Sequence, residues 1–202
     1  MKKTYFIKTF NLVLNLILLT LFESLFSFVF KLLVFTFDNN TTLSKIKFFI
    51  QIEKWTTLIS DDFKYLAIAT LILVLLLILK EAISRLLKDS LLNSFKSIFQ
   101  TFKLRHFLVQ NERSEKTVEN QKVNSFNPIF KDFNKAVHKC VIDVTNENIV
   151  VFIKVPHTQQ AQKLLKDMES QIKEEIASRN PDYYFSAPNR VKNKMWFIGT
   201  KR

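Results

Sequence analysis

Residues 65–79 read YLAIATLILVLLLIL, an uncharged run closed by Lys64 and Lys80. Fifteen uncharged, mostly apolar residues between two lysines that can snorkel predict a membrane helix. A second apolar stretch, residues 10–37, lies nearer the N-terminus and is interrupted by Glu23 and Lys31. At about 100° per residue, Thr20, Glu23, Ser24, Ser27 and Lys31 fall in one sector of this helix, while Asn11 and Asn15 point elsewhere. A carboxylate deep in lipid costs about 2.5–3.5 kcal/mol. Glu23 is therefore the intramembrane polar residue to explain. It can face a second helix, a cavity or the headgroup layer, or pair with Lys31 or a second subunit. It can also serve as a proton or ion relay.

The two apolar stretches predict a transmembrane hairpin over residues 1–80. Between them, residues 38–64 balance four acids against four lysines. Ile46, Phe49, Ile50 and Trp55 there suggest a short amphipathic piece at the interface. No A-x-A site follows the first apolar core, so an uncleaved anchor is expected.

From Lys80 to Val109 there are six Lys/Arg against Glu81 and Asp89. Ile83, Leu86, Leu87, Leu91, Phe95, Ile98, Phe99 and Phe102 recur there at spacings of three and four. The pattern predicts a basic amphipathic helix over 81–109, continuous with the second membrane helix and bending onto the membrane surface. Arg85, Lys88, Lys96, Lys103 and Arg105 would touch the anionic inner leaflet; a helix packed on the soluble domain or on a partner subunit is the competing arrangement. Three lysines in residues 1–9 match this basic side. The positive-inside rule then puts both termini in the cytoplasm and residues 38–64 outside.

Residues 110–126 are polar and charge-balanced, as a linker is. Asn127-Pro128 predicts a helix start. His138–Val144 and Asn148–Val155 alternate as strands across a Thr145–Asn148 turn. Thr158 can cap a helix bearing Ala161, Leu164, Leu165, Met168, Ile172 and Ile176. Tyr183–Ser186 and Met195–Thr200 are two further strands, joined by the turn-rich APNRVKNK. Residues 127–202 are thus expected to form a small cytoplasmic α+β domain of order αββαββ, an antiparallel sheet with helices on one face.

Composition narrows the chemistry. Gly199 is the single glycine in 202 residues. Glycine-rich phosphate loops and dinucleotide-binding turns are therefore excluded. The single Cys140 excludes an internal disulfide, and the 21 phenylalanines with frequent Lys, Asn and Ile suit an AT-rich bacterial genome. His138, Cys140 and His157 are the one candidate metal or nucleophile cluster. A structural zinc site needs four ligands, and no second Cys/His pair exists. No metal, cofactor or catalytic group is expected, and a core thiol is the ordinary role for Cys140.

The net charge of +12 calls for an anionic partner. Residues 183–202 hold Arg190, Lys192, Lys194, Lys201 and Arg202 and no acid. Tyr183 and Trp196 interleave with these cations, so the segment could bind phosphates and stack on bases. Solvated cations around core aromatics are the plainer alternative.

The architecture, though no motif, is similar to small membrane-anchored accessory proteins of bacterial mobile elements. The expected function is a non-enzymatic membrane adaptor that holds a nucleic-acid or membrane-complex protein partner, alone or as a homo-oligomer. The alternative is an immunity or toxin-neutralising protein acting through its hairpin. A transporter subunit built around Glu23 is a third reading.

Overall fold

A computed structural model describes residues 3–38, 47–110 and 128–202 of the chain. The chain divides into two compact units. One runs from Lys8 to Ile83; the other joins the N-terminal residues up to Ile7 with Ser84–Arg202.

The first unit is built from two long helices, α1 (Tyr5–Asp38) and α2 (Lys47–Lys88). Both are long and apolar enough to cross a membrane. At about 1.5 Å per residue, both exceed the ~30 Å of a hydrocarbon core. The predicted interfacial piece is not separate from the second span: Phe49, Ile50 and Trp55 are early turns of α2 itself. Ile46 lies outside the described residues.

The two helices meet along a seam with a repeat of three and four. On α1 the least exposed positions include Val13, Leu16, Thr20, Glu23, Ser27 and Phe30; on α2 they include Ser60, Phe63, Ala67, Thr70 and Val74. This 3.5-residue period is that of a coiled coil. Thr20 meets Thr70 while Ser27 meets Ser60, so the helices run antiparallel. The Ser27 hydroxyl donates to the Ser60 carbonyl at 2.9 Å, and the Ser60 hydroxyl donates back to the Ser27 carbonyl at 3.0 Å. Such reciprocity needs two backbones in close approach, which small residues permit. Phe26 and Phe30 pack on Phe63 beside it.

The second unit holds an antiparallel sheet of five strands: β1 (Val141–Val144), β2 (Asn148–Lys154), β3 (Tyr183–Phe185), β4 (Asn189–Val191) and β5 (Lys194–Lys201). The order is β1-β2-β5-β3, with β4 pairing the other half of the long β5. The α+β class and the antiparallel sheet are as expected. The stretch APNRVKNK, expected as turn alone, contains β4. A two-residue turn closes β4 onto β5, and Lys192 adopts a left-handed φ of 55° there. The predicted helix after Thr158 is two helices, α5 (Gln159–Asp167) and α6 (Glu169–Arg179), divided at Met168. With α4 (Pro128–Val137) they cover one sheet face, burying Ile142, Val144, Ile149, Val151, Ile153, Met195 and Phe197. Asn127 lies outside the described residues.

Gly199 sits on that face against Phe185. A Cβ there would lie 2.8 Å from Phe185 Cε1, inside contact distance. The single glycine thus makes room for an aromatic ring and takes no part in an anion-binding loop.

The basic helix of 81–109 is not continuous. α2 ends at Lys88, and Ser90 caps a new helix, α3 (Leu91–Leu108). α3 packs along β1 at the sheet edge. Thr101 Oγ1 accepts from the Ile142 amide at 2.9 Å and donates to the Ile142 carbonyl at 3.3 Å. Ser97 Oγ accepts from the Val144 amide at 2.8 Å. Arg105 donates twice to the Cys140 carbonyl, at 2.9 and 2.7 Å. Ser97, Thr101 and Arg105 are spaced by four and share one helix face. They saturate the outward backbone groups that an edge strand otherwise leaves open. Leu104 and Leu108, on the adjoining strip, enter the core.

Thr101→Val keeps the side-chain shape and removes both hydrogen bonds to Ile142. Each buried backbone group left unpaired costs about 1–3 kcal/mol. The substitution is expected to lower the unfolding free energy by at least about 1 kcal/mol, and to raise amide exchange at Ile142 more than at Ile149.

Candidate membrane-facing and anion-binding surfaces

α3 turns two unlike faces outward and inward. Its buried sector carries Ser97, Gln100, Thr101, Leu104, Arg105 and Leu108. Its opposite face carries Leu91, Leu92, Phe95, Ile98, Phe99 and Phe102, all exposed, with Leu92 at 76% and Phe95 at 70%. Leu86 and Leu87 at the end of α2 are also exposed. Lys88, Lys96 and Lys103 stand in solvent among them, and the Lys103 ammonium lies 4.4 Å from the Phe99 ring centre. The apolar positions singled out by periodicity are thus the outer face of the helix. Its inner face is polar, and periodicity of apolar residues did not reveal it. The available signal was the i, i+4 row Ser97, Thr101 and Arg105.

Two of the five predicted membrane-surface cations point inward. Arg85 is buried; it pairs with Asp143 and Asp89 and donates to the Val144 carbonyl at 2.8 Å. Arg105 is buried on the Cys140 carbonyl, and that burial lowers its pKa from the ordinary value. These guanidiniums close the sheet edge, where a fork of donors finds several acceptors, and they are not presented to lipid headgroups. Asp89 extends the same corner. Its carboxylate accepts from Asn93 and from the Asn146 amide, tying the β1–β2 turn to the start of α3.

Glu23 is 3% exposed and accepts from Thr70 Oγ1 at 2.8 Å, which in turn accepts from Thr20. Its partner is a hydroxyl across the seam, and Lys31 is exposed. Of the predicted polar sector, Thr20, Glu23 and Ser27 face α2, while Ser24 is exposed and bonds its own helix at Leu21.

The basic C-terminal segment is divided by the sheet. Arg190, Lys192 and Lys194 cluster at the β4–β5 turn, where Arg190 donates to Gln162 at 2.8 Å. Lys201 and Arg202 lie at the opposite end of β5, near Glu147 and Asp182 through backbone bonds. Trp196 is 1% exposed and packs on Phe152. Tyr183 is buried, and its hydroxyl donates to the Thr145 carbonyl. Burial also raises the Tyr183 pKa. Neither ring offers a face for base stacking. Tyr184, between the two buried rings of β3, is the exposed aromatic there.

His138 and His157 are exposed, whereas Cys140 is fully buried and its thiol is pushed up to about 12 by burial, with Arg105 opposing. A thiol so placed is inert as nucleophile or metal ligand. Among the described residues no group of three His, Cys, Asp or Glu could hold a metal ion.

No known protein family, no curated protein and no solved structure matches this chain.

At the start of α5, Thr158 occupies the N-cap but its own side chain does not cap. Asp132 of α4 does so instead, accepting from the His157 and Thr158 amides at 2.9 and 2.8 Å and from the Thr158 hydroxyl. The Thr158 amide, foremost, holds the Asp132 carboxyl below its ordinary pKa. A lowered folded pKa contributes stability that is complete above the unfolded pKa of about 3.9 and is lost as pH falls through the folded value. Asp132→Ala is expected to cost about 1 kcal/mol at neutral pH. Thermal melts should show the gap from the parent narrowing as the pH is taken below about 4.

Proposed function

We propose that this chain is a non-enzymatic, membrane-anchored adaptor. The α1–α2 hairpin crosses the membrane twice, both termini are cytoplasmic, α3 lies on the anionic inner leaflet, and the α+β unit holds a partner there. The observation that carries this reading is the exposed apolar face of α3 with Lys88, Lys96 and Lys103 among it. Fixed by its polar side to the sheet, that helix cannot bury its phenylalanines inside its own unit. A lipid surface accepts such a face, and the lysines add about 1 kcal/mol each near anionic headgroups.

The lysine bias before the first apolar helix and after the second supports cytoplasmic termini. The grouping of the N-terminal residues up to Ile7 with Ser84–Arg202 supports placing both ends of the chain on one side. Small and hydroxylated residues along the α1–α2 seam support a membrane hairpin, because helices in lipid associate through close packing and hydrogen bonds.

The partner is anionic. Lys192 and Lys194 at the β4–β5 turn, with Arg190 held beside them on Gln162, are the exposed cations we assign to it, and with Trp196 and Tyr183 in the interior the contact is to phosphates or carboxylates. A nucleic-acid backbone or an acidic face of a membrane-complex protein fits, as in DNA-transfer or plasmid-maintenance accessories. An immunity or toxin-neutralising role would instead rest on the hairpin and on Glu23.

Salt titration of DNA binding by the full chain in lipid nanodiscs tests the adaptor reading. Replacing Arg190, Lys192 and Lys194 together by Gln is expected to flatten the log–log salt slope by about two to three units. Duplex should bind at least as well as single strand, since Trp196 and Tyr183 are buried and cannot stack on bases. Unchanged binding in the triple variant would remove the turn from the interface. Absence of any DNA binding at low salt would leave the acidic protein as the partner.

A further inference from the structure

The sheet face opposite α4, α5 and α6 carries a second basic cluster, which shares Lys194 with the β4–β5 turn. Lys154 ends β2 and stands in register with Lys194 at the start of β5. The two therefore point to the same face from neighbouring strands. Like charges directly opposite one another on a sheet are destabilising. A third cation joins them: the Lys3 ammonium lies 3.7 Å from the centre of the Phe152 ring, two residues before Lys154 on the same face. Phe152 in turn packs against Trp196, which anchors the floor of the cluster. Among the described residues, no carboxylate pairs with Lys3, Lys154 or Lys194. Burial, then the nearby charges of Lys194 and Lys154, lower the pKa of Lys3 from its ordinary value.

We infer that Lys3, Lys154 and Lys194 form a phosphate-binding site at the end of β2 and start of β5, at the margin of an otherwise buried sheet face, and that its source is a phospholipid headgroup. Two lysines in register on neighbouring strands, with a third over the ring two residues away, repel one another until an anion neutralises them. A phosphate offers three or more acceptor oxygens, enough to take one hydrogen bond from each lysine. Lys3 lies two residues before Tyr5, where the first apolar helix begins. If α1 spans the bilayer, Lys3 is at headgroup depth, so the lipid assignment rests on the membrane reading above. The phosphate chemistry does not.

The experiment uses the purified full chain in neutral detergent. Phosphatidylglycerol and phosphatidylcholine are titrated by native mass spectrometry, and inorganic phosphate by its effect on the melting temperature. The test variant is Lys154→Gln with Lys194→Gln; the charge control replaces Lys88, Lys96 and Lys103 by Gln. Loss of charge-assisted bonds to phosphate should weaken phosphatidylglycerol binding at least about tenfold in the test variant, and less in the control. Without anion, the test variant should melt above the parent because the lysine–lysine repulsion is gone, and phosphate should no longer raise its melting temperature. Equal lipid affinity in the test variant and the parent, with an unchanged response to phosphate, would overturn the site. A response to inorganic phosphate without phosphatidylglycerol preference would keep the site and overturn the lipid as its source. Failure of the membrane reading would leave the phosphate response in detergent intact, so the two failures are distinguishable.

Discussion

The outward edge of β1 is the constraint around which the second unit is arranged. An edge strand presents unpaired amides and carbonyls, and burying them without partners costs about 1–3 kcal/mol each. Here Ser97, Thr101 and Arg105 of α3, with Arg85 from the end of α2, meet the backbone of Cys140, Ile142 and Val144. The helix that does this is thereby fixed in rotation. Its polar row must face the strand, Leu104 and Leu108 then enter the core, and Phe95, Phe99 and Phe102 are left outside. On the proposed reading, a face that a soluble protein would bury is the one that meets the lipid surface.

The same economy of small polar groups holds the hairpin. Ser27 and Ser60 exchange hydroxyl-to-carbonyl bonds, and Thr20, Thr70 and Glu23 form a chain of hydrogen bonds further along the seam. Were the hairpin in lipid, where no hydrophobic force drives helices together, close packing and interhelical bonds of about 0.6–2 kcal/mol would carry the association. Glu23 is accommodated by that seam. It packs against α2 and takes a hydrogen bond from the Thr70 hydroxyl.

Much of the architecture was legible in the sequence because it rests on periodicity. The two apolar helices, the β1–β2 hairpin about Thr145–Asn148 and the sheet-covering helices all follow from spacing and turn chemistry. The strand β4 was not legible: Asn189, Arg190 and Val191 have no apolar alternation, and the strand exists because β5 is long enough to pair both β3 and β4. The break at Asp89–Ser90 was hidden because apolar spacing continues through it. Arg85 and Arg105 read as surface cations because charge alone does not reveal that a strand edge will demand donors. Lys3 and Lys154 escaped notice for a related reason. Their meeting depends on the N-terminus returning to a sheet more than a hundred residues later, and no local pattern records that.

The central claim is that α3 divides its faces between the sheet edge and the membrane. A nitroxide placed at Phe99→Cys reports this directly, because the native Cys140 is buried with its thiol pushed up to about 12 and stays unlabelled. Relaxation of that label in lipid vesicles should be strong with oxygen, which partitions into the acyl region, and weak with a water-soluble nickel chelate. The reverse ordering, with the label as open to the chelate as one placed at exposed Ser186, would show α3 in water and contradict the account.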